Sequence, residues 1–504
     1  MSRLAGAAAL SLLVCCAAAP PDAGVRSPAV AGRFYPEDPD KLRAAVQGFL
    51  DQALPPRGER PIALVVPHAG YVYSAQIAAD GYRQAADFPP EVVVLLGTNH
   101  TVPEFAGMAL YQGEGFRTPL GVAPIDGEVT RALLAADPMM TARTEPHAEE
   151  HSVEVQVPFI QVAFPRACIV AAVVGTANPA VAGRLGQVLA RVLQGRRALI
   201  VASSDLTHYP AYEDAVEVDR RVLTAVAGMD PAEVVGIIAR EMKAGRPGLS
   251  TCACGEGPIL VALVAARSLG AGHGIVVSYA NSGDTVPGDR SRVVGYGAVA
   301  LTEGSGGPDL AALVIPTATA PATLPEADRR YLLALARRTI TDYLELGMVP
   351  LPRAGSPALR QHRGAFVTLQ QQGQLRGCIG HMAEDTPLAL TVARMALQAA
   401  FHDPRFPPVG VAEVAGLELE ISALTPFARV SGPEAVVVGR DGVLLEKGGR
   451  RAVFLPQVAP EQGWGRDEML DHLCAKAGLP VGCWQHGADL STFQAEVFAE
   501  GESH

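Results

Sequence analysis

The sequence predicts an α/β domain built on a mostly parallel sheet with flanking helices, followed by a smaller α+β domain. Three observations carry this. Short, continuously apolar, β-branched runs alternate with helical patterns through the first 300 residues. A weakly charged stretch rich in Gly, Pro, Ala and Thr follows at 303–325. Beyond it the strand-like runs lie closer together and are punctuated by glycine.

The runs at 62–66, 92–96, 169–174, 199–202, 275–279 and 293–301 are apolar throughout, as expected of strands buried on both faces. Helical spacing over 180–193, 214–226 and 257–269 places helices between several of them. That βαβ rhythm is the signature of helices packed on both sides of a sheet. The stretch at 304–324 reads as a linker between a first domain over 25–303 and a second over 325–500. In the second, a helix starts near Glu326, with Leu332, Leu335 and Ile340 on one face. Strands are expected at 365–369, 417–424, 436–438 and 452–455, and helices at 388–400 and 468–477. Glu418 and Glu420 alternate with apolar neighbours and should share a solvated face.

The 504 residues are 49% hydrophobic and 18% charged, enough for sizeable cores and against wholesale disorder. A net charge of −11 without a Lys/Arg run argues against nucleic acid as a partner. Residues 1–24 have the layout of a secretory leader: Arg3, an apolar run, then small residues. Ala17-Ala18-Ala19 offers one cleavage site; Leu13-Val14-Cys15-Cys16 resembles a lipobox that would anchor the chain to a membrane through a lipid on Cys16. The expectation is export, periplasmic or lipid-anchored, with the cytoplasm as the alternative if the leader does not function. The eight cysteines form no paired C-x-x-C, and spacing identifies no disulfide.

Ligands of open α/β sheets bind beyond the carboxyl ends of the strands. Three of the predicted strands run into His68, into His100, and into Asp205 with His208, while Cys254 opens a helical stretch. Two imidazoles and a thiolate suit iron, copper or zinc better than magnesium or calcium. His147-Ala148-Glu149-Glu150-His151 also matches the H-x-x-E-H pattern of inverted zinc proteases, making a zinc hydrolase using His147, Glu150 and His151 a minor alternative. Read separately, His151 and Glu154 form a surface pair or line the pocket as acid/base partners. In the second domain, the glycines around Arg376-Gly377-Cys378 suit a tight turn or a close backbone approach. Asp403 and Arg405, in a Pro-rich loop, either pair with each other or orient a polar group.

The motifs PHAGYVYSA, LLGTNHTVP, EEHSVEVQVPF, SSDLTHY and CACGEGPI occur in this order, after the opening AVAGRFYP. Together they resemble the Memo family, whose bacterial members are called AmmeMemoRadiSam system protein B. The resemblance implies a fold related to class III extradiol dioxygenases and a metal site of His68, His100 and Cys254, with Asp205 and His208 beside it. It implies iron or copper. Cys252 departs from the pattern by adding a second thiol. LRGCIG, DPRFPPV, LELEISALTP and VFLPQV resemble the AMMECR domain, AmmeMemoRadiSam system protein A, and imply a binding face of Arg376, Gly377, Cys378, Asp403 and Arg405. The family names imply a radical-SAM partner in the cytoplasm. The expected function is a metal-dependent oxidoreductase, dioxygenase-like, with His208, Asp205 and His151 in catalytic roles and an unknown small-molecule or peptide ligand. The competing expectation is a non-catalytic scaffold that recruits a partner.

Overall fold

The apolar runs of the first 300 residues meet in one eight-stranded sheet. The computed structural model describes residues 24–103, 105–314, 323–349, 351–353 and 355–501; the leader expected over 1–24 lies outside them but for Gly24. In order across the sheet, the strands are His273–Asn281, Gly295–Thr302, Pro61–Val66, Ala198–Ser203, Val92–Thr98, Cys168–Val174, Met108–Leu110 and Met140–Thr141. The four strands from Pro61–Val66 to Cys168–Val174 run parallel. Helices cover them on both faces, so nearly every residue in them is buried and no polar alternation survives.

The sheet as a whole is mixed, with four parallel and three antiparallel pairings. Gly295–Thr302 pairs antiparallel with both neighbours, and Met108–Leu110 pairs antiparallel with Cys168–Val174. The reason lies in the connections. A parallel return usually runs through a helix that crosses the face of the sheet. Only a loop with a single 3-10 turn, Ser282–Asp284, joins His273–Asn281 to Gly295–Thr302.

Helices Pro179–Leu193, Tyr212–Ala227 and Glu256–Ser268 pack on one face, burying Leu185, Val222 and Leu260. Helices Pro39–Asp51 and Tyr71–Arg83 pack on the other, burying Leu42 and Tyr82. Local sequence sets the helix starts. Pro179 occupies the first turn, where its missing N–H costs nothing, and the Asn178 side chain accepts from Ala180 N and Val181 N.

Beyond residue 325 the architecture is α+β. An antiparallel sheet orders its strands Gln374–His381, Ala365–Gln371, Leu417–Leu424, Ala495–Ala499. Helices Glu326–Leu346 and Leu388–Phe401 supply its core with Leu332, Leu335, Val392 and Ala396. A second four-stranded sheet packs with helix Arg466–Lys476, where Cys474 and Cys483 form a disulfide. Glu418 is exposed and Glu420 half-buried, alternating with buried Leu417, Leu419 and Ile421.

One local alternative is decided here and one local expectation fails. The glycine-rich 375–380 segment is a strand and not a turn; its glycines serve close approach, since a Cβ on Gly377 would lie 2.2 Å from the Ala399 carbonyl of the covering helix. Residues 436–438 form no strand: they follow the 3-10 turn Pro433–Ala435, and buried Val436 packs as a loop residue.

Candidate metal centre

Strand Pro61–Val66 ends at the segment carrying His68, Val92–Thr98 at His100, and Ala198–Ser203 at Asp205. These strands are parallel neighbours in the sheet, so their carboxyl ends come together. Two sets of three ligand atoms, each lying within 4.8 Å of one another, result: His68 with His100 and His151, and His68 with Asp205 and Cys254. His68 belongs to both. His100 and Cys254 fall in different sets at that spacing, each beside His68, so the expected trio of His68, His100 and Cys254 meets at His68. The Cys254 sulfur is 3.2 Å from His68 Nε2. The His68 and His100 rings meet edge-on at 5.3 Å, and His100 stacks on His151 at 4.6 Å.

Hydrogen bonding decides which imidazole nitrogens face this space. The Ser203 hydroxyl donates to the Ser152 carbonyl at 2.7 Å, so its oxygen can only accept from its other neighbours. Those are Gln156 Nε2 at 2.9 Å and His68 Nδ1 at 3.0 Å. His68 therefore carries its proton on Nδ1 and presents a bare Nε2 to Cys254. In the same way His100 Nδ1 donates to Glu150 Oε1 at 2.9 Å, and its backbone N–H donates to Oε2 at 2.8 Å. That leaves His100 Nε2 as its ligating atom. Asp205 Oδ1 accepts from the backbone N–H groups of His68 at 2.8 Å and Ala69 at 3.2 Å, pinning the start of the loop.

The electrostatics favour the neutral imidazole at His68 and at His151. Burial, then the nearby His100 charge, lowers His68 to about 3. Burial and then His68 lower His151 to about 4. Burial pushes the Asp205 carboxyl up, against the pull of His208. Burial also pushes the Cys254 thiol well above its usual range, and the Asp205 charge adds to this. For Glu150 burial acts upward, but the hydrogen bond and charge of His100 outweigh it and hold the carboxyl at about 2. The donor set of bare Nε2 atoms, a thiol and a carboxylate, backed by Glu150, Ser203 and Gln156, fits a borderline or soft metal ion.

His208 lies near enough for its charge to act on His68 and Asp205. Its Nδ1 is 3.0 Å from the Leu206 carbonyl, which can only accept, so Nε2 is the basic atom.

Three readings are corrected. The H-x-x-E-H segment is not one helix: Glu145–Ala148 and His151–Glu154 are separate short helices, and Glu150 caps the second by accepting from Ser152 N. His147 is buried away from the ligand groups, its Nε2 bonding the Ala109 carbonyl at 3.1 Å. The zinc-hydrolase grouping of His147, Glu150 and His151 is thereby lost. Glu154 is neither a surface partner of His151 nor a pocket residue. It is fully buried, paired with Arg26, and accepts from Ala29 N, Val30 N and Tyr35 Oη. Cys252 is buried in the core, where burial lifts its thiol to about 12, and it joins neither ligand set.

Sequence reasoning does not identify Gln156 and Ser203 as positioning groups. The only signal was their place inside the quoted motifs, since spacing along the chain does not reveal a shared hydroxyl.

In the second half, Asp403 and Arg405 pair with each other through Nη2–Oδ2 at 2.7 Å and Nε–Oδ1 at 3.0 Å. Together they clamp the Cys378 backbone: Asp403 Oδ2 accepts from its N–H at 2.9 Å and Arg405 donates to its carbonyl at 3.0 Å. The Arg405 hydrogen bonds hold the Asp403 carboxyl far below the usual range. Arg376 instead forks onto Glu413 at 3.0 and 3.1 Å. The structure thus gathers Cys378, Asp403 and Arg405, and places Gly377 against the helix on the other face.

Fold and site together define an α/β protein with a histidine, cysteine and carboxylate ligand cluster at the carboxyl edge of its parallel strands, joined to an α+β domain. The chain belongs to the Memo-like protein family, whose profile matches residues 26–300, and the AMMECR1 profile matches residues 333–498. It is similar to a MEMO1 family protein of Methanopyrus kandleri, 36% identical over 291 residues that cover 55% of this chain and 99% of that one. A MEMO1 family protein of Aquifex aeolicus is 39% identical over 273 residues, 54% of this chain and 97% of its own. Among solved structures, an uncharacterized protein from Pyrococcus horikoshii is 40% identical, covering 34% of this chain and 90% of that chain with a TM-score of 0.31.

Proposed function

We propose that the Memo-like domain is a metal-dependent oxidoreductase, dioxygenase-like, that acts on a small organic molecule. The observation that carries this reading is the convergence of His68, His100, His151, Asp205 and Cys254 around one imidazole at the sheet edge. Mixed nitrogen and sulfur donors favour iron or copper over the hard, oxygen-seeking ions. His68, His100 and Cys254 would hold the ion, which would supply Lewis-acid and redox chemistry. Ser203 and Glu150 orient the two imidazoles. Asp205 holds the His68 backbone, and His208 accepts a proton on Nε2. His151, stacked between Phe34 and His100, is the second proton carrier.

We also read the chain as exported, in keeping with a Cys474–Cys483 disulfide, because disulfides persist in oxidising compartments. An exported chain works apart from a cytoplasmic radical-SAM partner. Fractionation of cells expressing the native leader, beside Cys16→Ala, tests this; a wholly cytoplasmic product counts against export.

Metal analysis of the purified full chain beside His68→Ala, with oxygen uptake followed in parallel, tests the site. Stoichiometric iron or copper lost in the variant together with uptake supports the reading. Metal at trace level in the native protein, or retained by His68→Ala, counts against it. Metal bound with no turnover on any substrate favours the scaffold instead.

A further inference from the structure

An open cavity of about 550 Å³ lies at the seam of the two domains, and none of the His68 cluster lines it. The Memo-like side contributes the edge strand His273–Asn281 and the start of helix Tyr212–Ala227. The other side contributes residues 351–353 and the start of helix Leu388–Phe401. Its size falls in the range of pockets that take a small organic ligand.

The lining has two parts. Ile77, Val216, Leu313, Leu351 and Leu390 form an apolar wall. Against it stand Arg220 and Arg290, with the carboxylates Glu213 and Asp284 also in the lining. Arg220 donates to the Leu313 carbonyl and has no ion-pair partner among the described residues. Arg290 donates to the Asp385 carbonyl at 2.8 Å and lies 3.6 Å over the Tyr212 ring, with Asp284 only at 3.9 Å. The Asp284 carboxylate is already engaged by the Tyr212 hydroxyl at 2.7 Å and the Asn281 N–H at 3.0 Å.

Two polar atoms in the lining lack partners among the described residues. Ser278 is only 7% exposed, yet its Oγ makes no hydrogen bond. Arg290 Nε is likewise buried and unpartnered. A buried polar group left unmet costs about 1–3 kcal/mol, and folded proteins rarely leave several in one place. Ser278 and Arg290 both line the cavity, and a hydroxyl and a guanidinium are groups from which an oxyanion accepts hydrogen bonds.

We propose that this seam is a binding site for a small organic anion, a carboxylate or phosphate head on an apolar body. The head accepts from Arg220, Arg290 and Ser278, and the body packs on the apolar wall. Because both domains line it, the ligand bridges them.

The test is calorimetric titration of the full chain with three probes sharing one apolar body: naphthoate, naphthyl phosphate and the neutral naphthalene methanol. At least one anion is expected to bind at one site per chain, with the neutral probe weaker by about tenfold or more. Arg220→Gln should weaken the anion about tenfold and leave the neutral probe unchanged. Val216→Trp, which fills the cavity, should abolish binding of every probe. The tighter anion identifies the head. No heat with either anion at millimolar concentration overturns the proposal. So does equal affinity for the neutral probe, or unchanged binding in both variants when their melting temperatures match the native protein.

Discussion

Replacing Glu150 by glutamine tests the centre without touching a ligand. Glu150 holds His100 at two points, its backbone N–H at 2.8 Å and Nδ1 at 2.9 Å, and its Oε1 also accepts from Ser152 N at 2.9 Å. All three partners are donors. Glutamine keeps the shape but turns one oxygen into an NH₂ group, so in either orientation at least one donor faces another. The negative charge behind His100 disappears as well. With its pKa held at about 2, that charge is present at neutral pH in the native protein. One charge-assisted hydrogen bond contributes about 1.5–3 kcal/mol, or roughly 10- to 150-fold in an equilibrium. Partners behind metal-ligating histidines usually account for about 10- to 100-fold in affinity. Metal-free protein titrated with iron(II) or copper(II) against a competing chelator should show Glu150→Gln binding about 10- to 100-fold more weakly. Circular dichroism should show the fold intact. Affinity within about twofold of native, with the fold intact, would refute the claim that Glu150 positions His100 for an ion.

Three further outcomes follow from the buried charges and the disulfide. Burial raises the Asp219 carboxyl to about 7, although Thr207 and Tyr279 donate to it. A carboxyl raised in the folded state contributes stability below its unfolded pKa and loses it as pH climbs to the folded value. The native protein should therefore lose on the order of 4 kcal/mol relative to Asp219→Asn between about pH 4 and 7, read from melting temperatures across that range. Glu154→Gln leaves Arg26 buried without its charge partner and should cost about 3–5 kcal/mol, lowering the melting temperature of the Memo-like domain by roughly 10 °C; an unchanged melting point would show the pair to be dispensable. Reducing Cys474–Cys483, which closes a short loop of sequence separation 9, should destabilise the second domain by about 2–3 kcal/mol in denaturant titrations with and without reductant.

The central strands were legible because a strand covered on both faces must be apolar at every position, and that signal needs no tertiary information. The antiparallel edge was less so. Residues 275–279 and 293–301 carry the same apolar signal as the parallel strands, and only the loop between them sets their direction. Gly377 shows a similar limit: glycine spacing is compatible with a turn or with close packing, and the helix carrying Ala399 decides between them. His147 and Glu154 looked like local partners of Glu150 and His151. Their true partners are the Ala109 carbonyl, 38 residues away in sequence, and Arg26, 128 residues away.

The central apolar strands, the presence of a Memo-like and an AMMECR-type part, and the chemical character of His68, His100, Asp205 and Cys254 were set by the sequence alone. These are properties of local hydrophobicity and of side-chain donor type, readable one segment at a time. The tertiary structure decided the rest: that His68 is the hub, that Ser203 and Glu150 choose its and His100's tautomers, and that an open cavity at the seam of the domains is lined by Arg220 and Ser278. Each depends on atoms brought within hydrogen-bonding reach from segments far apart in the chain, and no local pattern encodes that meeting.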